Sequence, residues 1–381
     1  MKKQYIQSAE AKPPMPAEKI PASTLISLVR SGIMAPSADN HHHVLFELRP
    51  NGLRMSAGPG YLGCRDRHRR ILTQLAFGCV IENVVLAANR LGYELDLKWN
   101  SDPGRPELLA DMHLSRCEKL QFPAQSALAD MISLRVTNRR FFGRDRLTEE
   151  GMLSLRVEVA TQHGLELIWL EGGNRARALR LARLAETERF RRHYLHEELF
   201  SSVRFDVGWQ ASCDQGIAPG SLEVESGLRR AFQMLRNWPL MRILNVVGAH
   251  HVVGFRAGYL PCKLAPHLGV IVIHGDIEAN AVRAGRAFQR MWLRATALGA
   301  SLQPMAASVI LPFQDSHKDE ATETLRNRLV GGWQEILGEV TPIMFFRLGY
   351  APSPKIKSGR PVVERCLITV GAPDRKQKTA G

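Results

Sequence analysis

No two of the six cysteines, Cys64, Cys79, Cys117, Cys213, Cys262 and Cys366, stand at CxxC spacing, which leaves no zinc ribbon and no disulfide framework in view. Buried, reduced thiols are the plainer reading. Long apolar runs are missing too: the stretch from Leu268 to His274 is far too short to span a bilayer. The opening segment MKKQYIQSAEAKPPMPAEKIPAS has a basic head with only Ala and Pro among polar residues behind it, so it does not read as a secretory signal. A cytoplasmic protein with no membrane partner is expected. There is no GxSxG, no GxxxxGKS/T, no GxGxxG after a strand and no HExxH, so no hydrolase, triphosphatase or zinc-protease motif competes. Glu223 and Glu225 look like helix surface, and paired acid/base chemistry is unsupported.

What is present fits a folded, multi-part chain. At 381 residues it has room for two to three domains of about 150 residues. A content of 45% hydrophobic and 23% charged residues excludes collagen-like, disordered and membrane compositions for most of it. Cations outnumber acids 51 to 37, a net charge of +14, and 39 of the 51 are Arg. That bias favours forked recognition of phosphate or carboxylate, although genome base composition also produces it. Non-specific affinity for nucleic acid follows from such charge at low salt. No zinc finger, helix-turn-helix or aromatic-interleaved basic stripe accompanies it, so no specific nucleic-acid partner is expected.

Helical and strand-like patterns alternate through the chain. Residues 24–32, 66–91, 124–134, 148–163, 174–200, 276–298 and 321–337 have helical apolar spacing, and 44–48, 94–99, 268–274, 302–305 and 342–348 read as extended. The two long helices overlay with a constant offset of 207: Gly78 on Gly285, Leu86 on Leu293, Leu91 on Leu298, Gly92 on Gly299 and Leu95 on Leu302. A helix, a closing glycine and an extended segment recurring in order imply two halves of similar architecture. They are expected to meet near residues 120 to 130.

Four segments could carry chemistry. Ala35-Pro36-Ser37-Ala38-Asp39-Asn40 joins a helix to a strand, and is either a plain turn or a polar edge for a ligand. His41-His42-His43 has no carboxylate or cysteine cluster beside it, and adjacent histidines on an extended chain face alternate sides, which argues against a metal site. Arg135-Val136-Thr137-Asn138-Arg139 brackets a hydroxyl with two guanidiniums, the donor set of a phosphate monoester; a solvated basic helix end is the alternative. Lys355-Ile356-Lys357-Ser358-Gly359-Arg360 is a second clamp or an exposed basic loop.

In this order the segments resemble the nitroreductase family of flavin-dependent oxidoreductases, most closely its Acg-like branch, in which two family-like halves are fused. In that family an RxSxR segment and a late Arg hold the FMN phosphate, while an APSxxN loop reaches the cofactor from the partner subunit. Arg135, Thr137 and Arg139 are similar to the first, with Thr in place of Ser, and Arg360 with Ser358 to the late Arg. Ser37 and Asn40 stand in the loop pattern, and Gln303 and Pro304, in GASLQP, match the segment beside the flavin ring. Where the family continues Asn-x-Gln-Pro-Trp this chain has Asn40-His41-His42-His43-Val44, which puts the ring contacts there in doubt.

The resemblance implies an α+β fold of two nitroreductase-like halves in one chain, each a mixed β-sheet packed with helices. The divisions expected are a flexible segment 1–22, an N-terminal half 23–122, a C-terminal half 123–372 with a lid-like insertion near 200–240, and a disordered tail 373–381. It implies an FMN-binding oxidoreductase using NAD(P)H on a nitro, quinone or related small-molecule acceptor. The alternative is a protein that sequesters or senses FMN without turnover. The loop pattern stands only in the first half and the clamp only in the second, so one FMN between the halves is expected, in a pocket needing no homodimer. No side chain is expected to act as nucleophile or base.

Overall fold

The computed structural model describes residues 19–102, 104–117 and 123–368, with the side chains of 123–126 excepted. The expected tail 373–381 and residues 1–18 of the expected N-terminal segment lie outside the described residues. Ile20 is buried and donates its amide to the Pro50 carbonyl at 3.0 Å, and helix α1 (Ala22–Ile33) begins two residues later.

The first half is an antiparallel four-stranded sheet with a helix between its second and third strands. Strands β1 (Val44–Arg49) and β2 (Gly52–Ala57) form a hairpin, helix α2 (Arg67–Arg90) follows, and β3 (Tyr93–Trp99) and β4 (Leu108–Arg116) complete a sheet of order β1-β2-β4-β3. The second half runs through α3 (Glu149–Ala160), β5 (Leu165–Trp169), α4 (Gly172–Arg191), α5 (His193–Ser201), α6 (Trp238–Val246), α7 (Ala249–Gly254), β6 (His267–Ile273), α8 (Ile277–Ala297), β7 (Ser301–Pro304), α9 (Glu320–Leu337) and β8 (Thr341–Gly349). Its sheet has the order β5-β6-β8-β7, the first sheet's order carried over strand for strand. Pairing within each sheet is antiparallel, and each gains a parallel bridge at an edge: Leu367 beside Phe46 of β1, and Thr137 beside Leu302 of β7. The architecture is α+β, as expected, and each sheet is mixed through these edge bridges.

The two long helices cross at the centre. Gly78 of α2 and Gly285 of α8 make the crossing close: a Cβ on Gly78 would lie 1.9 Å from the Val282 carbonyl oxygen, and one on Gly285 would lie 1.9 Å from that of Leu75. Glycine is required at both places because the partner backbone occupies the side chain's space. Each helix then ends at a left-handed glycine, Gly92 (φ 78°) and Gly299 (φ 72°), which stops it and turns the chain into the next strand.

Around the crossing the buried charges are paired. Glu82, fully buried, accepts from Arg286 Nε and Arg290 Nη1, both at 2.8 Å, while Arg290 and Arg294 also reach Glu158 of α3. Gln289 donates to Asn83 Oδ1 at 2.7 Å. One continuous apolar core runs from Leu28 and Phe46 through Ile81 to Trp292, Phe345 and Phe346. By length and composition α2 could cross a membrane, but it is mostly buried here, as the central helix of such a core must be.

Two expectations need correction. The helix read over 174–200 is broken at Arg192, which is extended (φ −102°, ψ 129°). Its guanidinium explains the break locally, donating to Glu188 Oε2 at 2.7 Å and to the Ala321 carbonyl at 2.7 Å, and so fastening the chain to α9. The insertion is also larger than the region near 200–240: the whole connection between β5 and β6, carrying α4 to α7, stands where the first half has the turn at Pro50 and Asn51.

Candidate functional site

The loop after α1 is shaped by residues that tolerate unusual backbone. Asp39 and Asn40 both have positive φ, 50° and 59°, a region that Asn and Asp enter more readily than other side chains. Asn40 is buried and fully engaged. Its amide donates to the carbonyls of Cys213 (3.3 Å) and Gly216 (3.1 Å), and its Oδ1 accepts from Arg360 Nη1 at 3.0 Å. The loop from the first half is thus bonded to the insertion and to the C-terminal segment of the second.

Arg360 and Arg135 converge behind this loop. Arg135 Nη2 donates to the Met34 carbonyl at 2.8 Å, and its guanidinium lies 4.6 Å from the centre of the Trp292 ring. Arg360 Nη2 reaches the same carbonyl at 3.4 Å, with Nη1 also on the carbonyls of Gly359 and Ser358. Neither guanidinium has a carboxylate partner among the described residues, and the Nε of each is buried and unpaired. Burial, together with the Arg360 charge, pushes the Arg135 pKa down to about 9; burial brings Arg360 to about 10. His42 stands at the same place, its Nε2 3.5 Å from Ser37 Oγ and 3.4 Å from Asn40 Oδ1. Burial and the charge of Arg360 lower it to about 3. One buried and one half-buried cation beside a neutral imidazole make a site whose electrostatics call for an anion.

A cavity of about 690 Å³ opens beside this cluster. Ser37, Thr137, Arg139, Gln303 and Pro304 line it, with Phe288 and Trp292 of α8 in its wall and side chains of the insertion above. Arg139 Nη1 donates to the Ser221 carbonyl at 3.1 Å, and burial lowers its pKa. The other four expected residues do not line the cavity: Asn40, Arg135 and Arg360 form the cluster behind Ser37, and Ser358 contributes its backbone carbonyl to Arg360. The reading of Arg135 as a solvated helix end fails, because the helix stops at Asp130 and Arg135 is 5% exposed. The second clamp is likewise no exposed loop at Arg360, which is half-buried.

Several site residues escaped the sequence reading. Arg347 of β8 is fully buried, donates Nε to Gln303 Oε1 at 2.7 Å and stacks 4.0 Å from the Phe142 ring centre. Burial lowers it to about 10. Its signal was a lone Arg inside the apolar run IMFFRLG. His68 and Glu198 meet across the cavity at 3.1 Å, and Arg69 adds a bond at 3.0 Å. Burial raises the Glu198 pKa, but the hydrogen bonds and charges of His68 and Arg69 outweigh it and leave about 2. Cys79 lines the cavity, but burial pushes its thiol up to about 12 and it donates to the Gly285 carbonyl, so it is no nucleophile. Among the described residues no cluster of His, Cys, Asp and Glu could hold a metal.

No family model and no curated protein matches the chain. Among solved structures it is similar to the FMN-dependent nitroreductase NfnB from Mycobacterium smegmatis in complex with NADPH, at 16% identity over 63% of this chain and 96% of that one, TM-score 0.34. A nitroreductase with bound FMN from Desulfitobacterium hafniense matches at 14% identity over 64% and 97%, TM-score 0.34. A nitroreductase-like family protein from Bacillus cereus matches at 10% over 64% and 96%, TM-score 0.34. All three are nitroreductase-family structures. TM-scores of this size assign neither cofactor nor activity to the chain.

Proposed function

We propose that the chain is an FMN-binding oxidoreductase that uses NAD(P)H to reduce a nitro, quinone or related acceptor, with one FMN held between the two halves, 23–122 and 123–372. The observation that carries this reading is the pair Arg135, buried, and Arg360, half-buried, with no carboxylate partner among the described residues and each with a buried, unpaired Nε. Isolating two like charges in the interior is costly unless an anion completes the site. A phosphate monoester fits that donor set, and the adjoining cavity, walled by Trp292 and partly covered by side chains of the insertion, suits a flat heterocycle.

When bound, the flavin supplies the hydride chemistry. The chain's own residues do the rest. Arg135 and Arg360 bind the phosphate, with the Ser37 and Thr137 hydroxyls near it, and Asn40 keeps Arg360 in place. Arg347 holds the Gln303 amide by its oxygen, which leaves the Gln303 Nε2 to donate into the cavity. Arg139 brings positive charge to the cavity wall, where a reduced, anionic ring would be stabilised. The insertion covers part of the cavity. Because the Asn40 to Arg360 contact forms within one chain, the site needs no homodimer. The buried, unbridged thiols of Cys79, Cys213, Cys262 and Cys366 suit a reducing cytoplasm, where reduced nicotinamides are available.

The test is direct. Purified protein titrated with FMN should take up one equivalent, and stopped-flow mixing with NADH or NADPH should bleach the bound flavin. Protein that takes up no FMN would end this reading. The apolar cover over the cavity favours a second one, an FMN-sequestering or sensing protein without turnover. Bound flavin that neither reductant bleaches would establish it.

A further inference from the structure

We infer that the tip of the insertion docks onto an anionic bilayer surface. From residue 226 to 275 the sequence has no Asp or Glu, but it has Arg229, Arg230, Arg236, Arg242, Arg256 and Lys263. In the middle of this run α6 and α7 meet at a reversal on Gly248 (φ 84°). Four aliphatic side chains project there into solvent: Ile243 (68% exposed), Val246 (86%), Val247 (82%) and Val252 (70%). Isolated exposed aliphatics are ordinary; four around one reversal form an apolar knob.

The knob is held rather than loose. Met241 on the opposite side of α6 is fully buried in the cluster with Phe190 and Phe200, Asn245 Nδ2 donates to the Phe190 carbonyl at 3.0 Å, and Asn237 caps the helix through the Leu240 amide at 3.1 Å. Arg256 is neutralised by Glu225. Arg230 and Arg242 are exposed and have no carboxylate partner among the described residues. Apolar side chains at a helical tip, with Arg242 exposed on the same helix and Arg230 exposed on the same acid-free segment, match the two layers of a bilayer interface, acyl boundary and anionic headgroup. A second copy of the chain is the poorer occupant, since it would bring the same cations to the contact.

The placement has a consequence for access. Leu228 and Val252 are exposed and also line the cavity of about 690 Å³, so its mouth would open at headgroup level to lipid-soluble molecules. This departs from the expectation of no membrane partner, which rested on the lack of a spanning segment. It does not depend on flavin binding.

The test is flotation of the full-length protein with vesicles of equal parts phosphatidylglycerol and phosphatidylcholine, against phosphatidylcholine alone. The protein should float with the anionic vesicles only. Arg230→Gln with Arg242→Gln should lower partitioning about thirtyfold. Val246→Asn with Val247→Asn should lower it as strongly, and because these side chains are mostly in solvent the variant should keep the native melting temperature. Equal flotation of the Asn variant would reduce the effect to bulk attraction of a +14 chain and overturn the proposal. So would failure to float combined with binding to soluble polyglutamate, which would give the surface to an acidic protein.

Discussion

Arg135 and Arg360, far apart in sequence, donate to one acceptor, the carbonyl oxygen of Met34, at 2.8 and 3.4 Å. Two cations sharing one neutral oxygen are mutually destabilising in the absence of an anion. Replacing either should therefore act in opposite directions on two measurements. Arg360→Met should weaken FMN binding by about 1.5–3 kcal/mol, the worth of a hydrogen bond to a charged group. The same change should leave the melting temperature of apo-protein unchanged or raised. Arg135→Met should behave alike in titration, with some loss of packing on Trp292. Unaltered FMN affinity in both variants would remove the clamp from the argument.

The central crossing yields a stability prediction that does not involve the cofactor. Gly78→Ala and Gly285→Ala each place a methyl group where a carbonyl oxygen of the opposite helix already stands. Backbone cannot move aside as a flexible side chain would, so each should cost about 1–3 kcal/mol or more. Because both force apart the same pair of helices, the double variant should lose less than the sum. Urea unfolding followed by circular dichroism measures this, and a neutral Gly78→Ala would show that the helices are not pressed together here.

These glycines also show why part of the fold was legible in the sequence. A close crossing and a left-handed helix end both need glycine, so their spacing is repeated in both halves and can be seen without coordinates. Arg192, by contrast, breaks a helix with no Gly or Pro nearby, because its guanidinium finds partners on α9 that are remote in sequence. At the site, the loop and clamp segments were visible as polar patterns, but their division of labour was not. Whether Asn40 faces a ligand or ties down Arg360 depends on a partner 320 residues away. Arg347 and the pair of His68 with Glu198 act inside otherwise regular elements, where a pattern of spacing has nothing to register.

Glu82 tests the buried ion network. It is fully enclosed and takes hydrogen bonds from Arg286 and Arg290. Glu82→Leu would leave Arg290 buried with only Glu158 to answer it, so a loss of about 3–5 kcal/mol is expected. Arg286→Leu should cost clearly less, since that side chain is partly in water and Arg290 still pairs with Glu82. Guanidinium unfolding of both variants should rank them in that order, and the reverse ranking would mean that Arg286 rather than Arg290 secures the carboxylate.

His42 supplies a pH signature. Its pKa is lowered from 6.5 to about 3, by burial first and then by the charge of Arg360. With the folded value depressed, the unfolded chain binds a proton that the native state refuses between those limits, so stability is full above pH 6.5 and falls as the pH drops toward 3. One proton gives a slope of up to about 1.4 kcal/mol per pH unit. Glu198, lowered from 4.5 to about 2, loses its stabilising contribution only below 4.5, so thermal melts between pH 6.5 and about 5 report on histidines, among which burial also lowers His43, His196, His250 and His267. His42→Gln should take one proton's share out of that limb and leave the others' in place. A phosphate bound beside Arg135 and Arg360 would offset their charge and let His42 take up its proton more easily, so saturating FMN should flatten the limb in the unsubstituted protein as well. If His42→Gln instead retains the full acid slope, the proton is taken up elsewhere and the imidazole does not belong to the anion site.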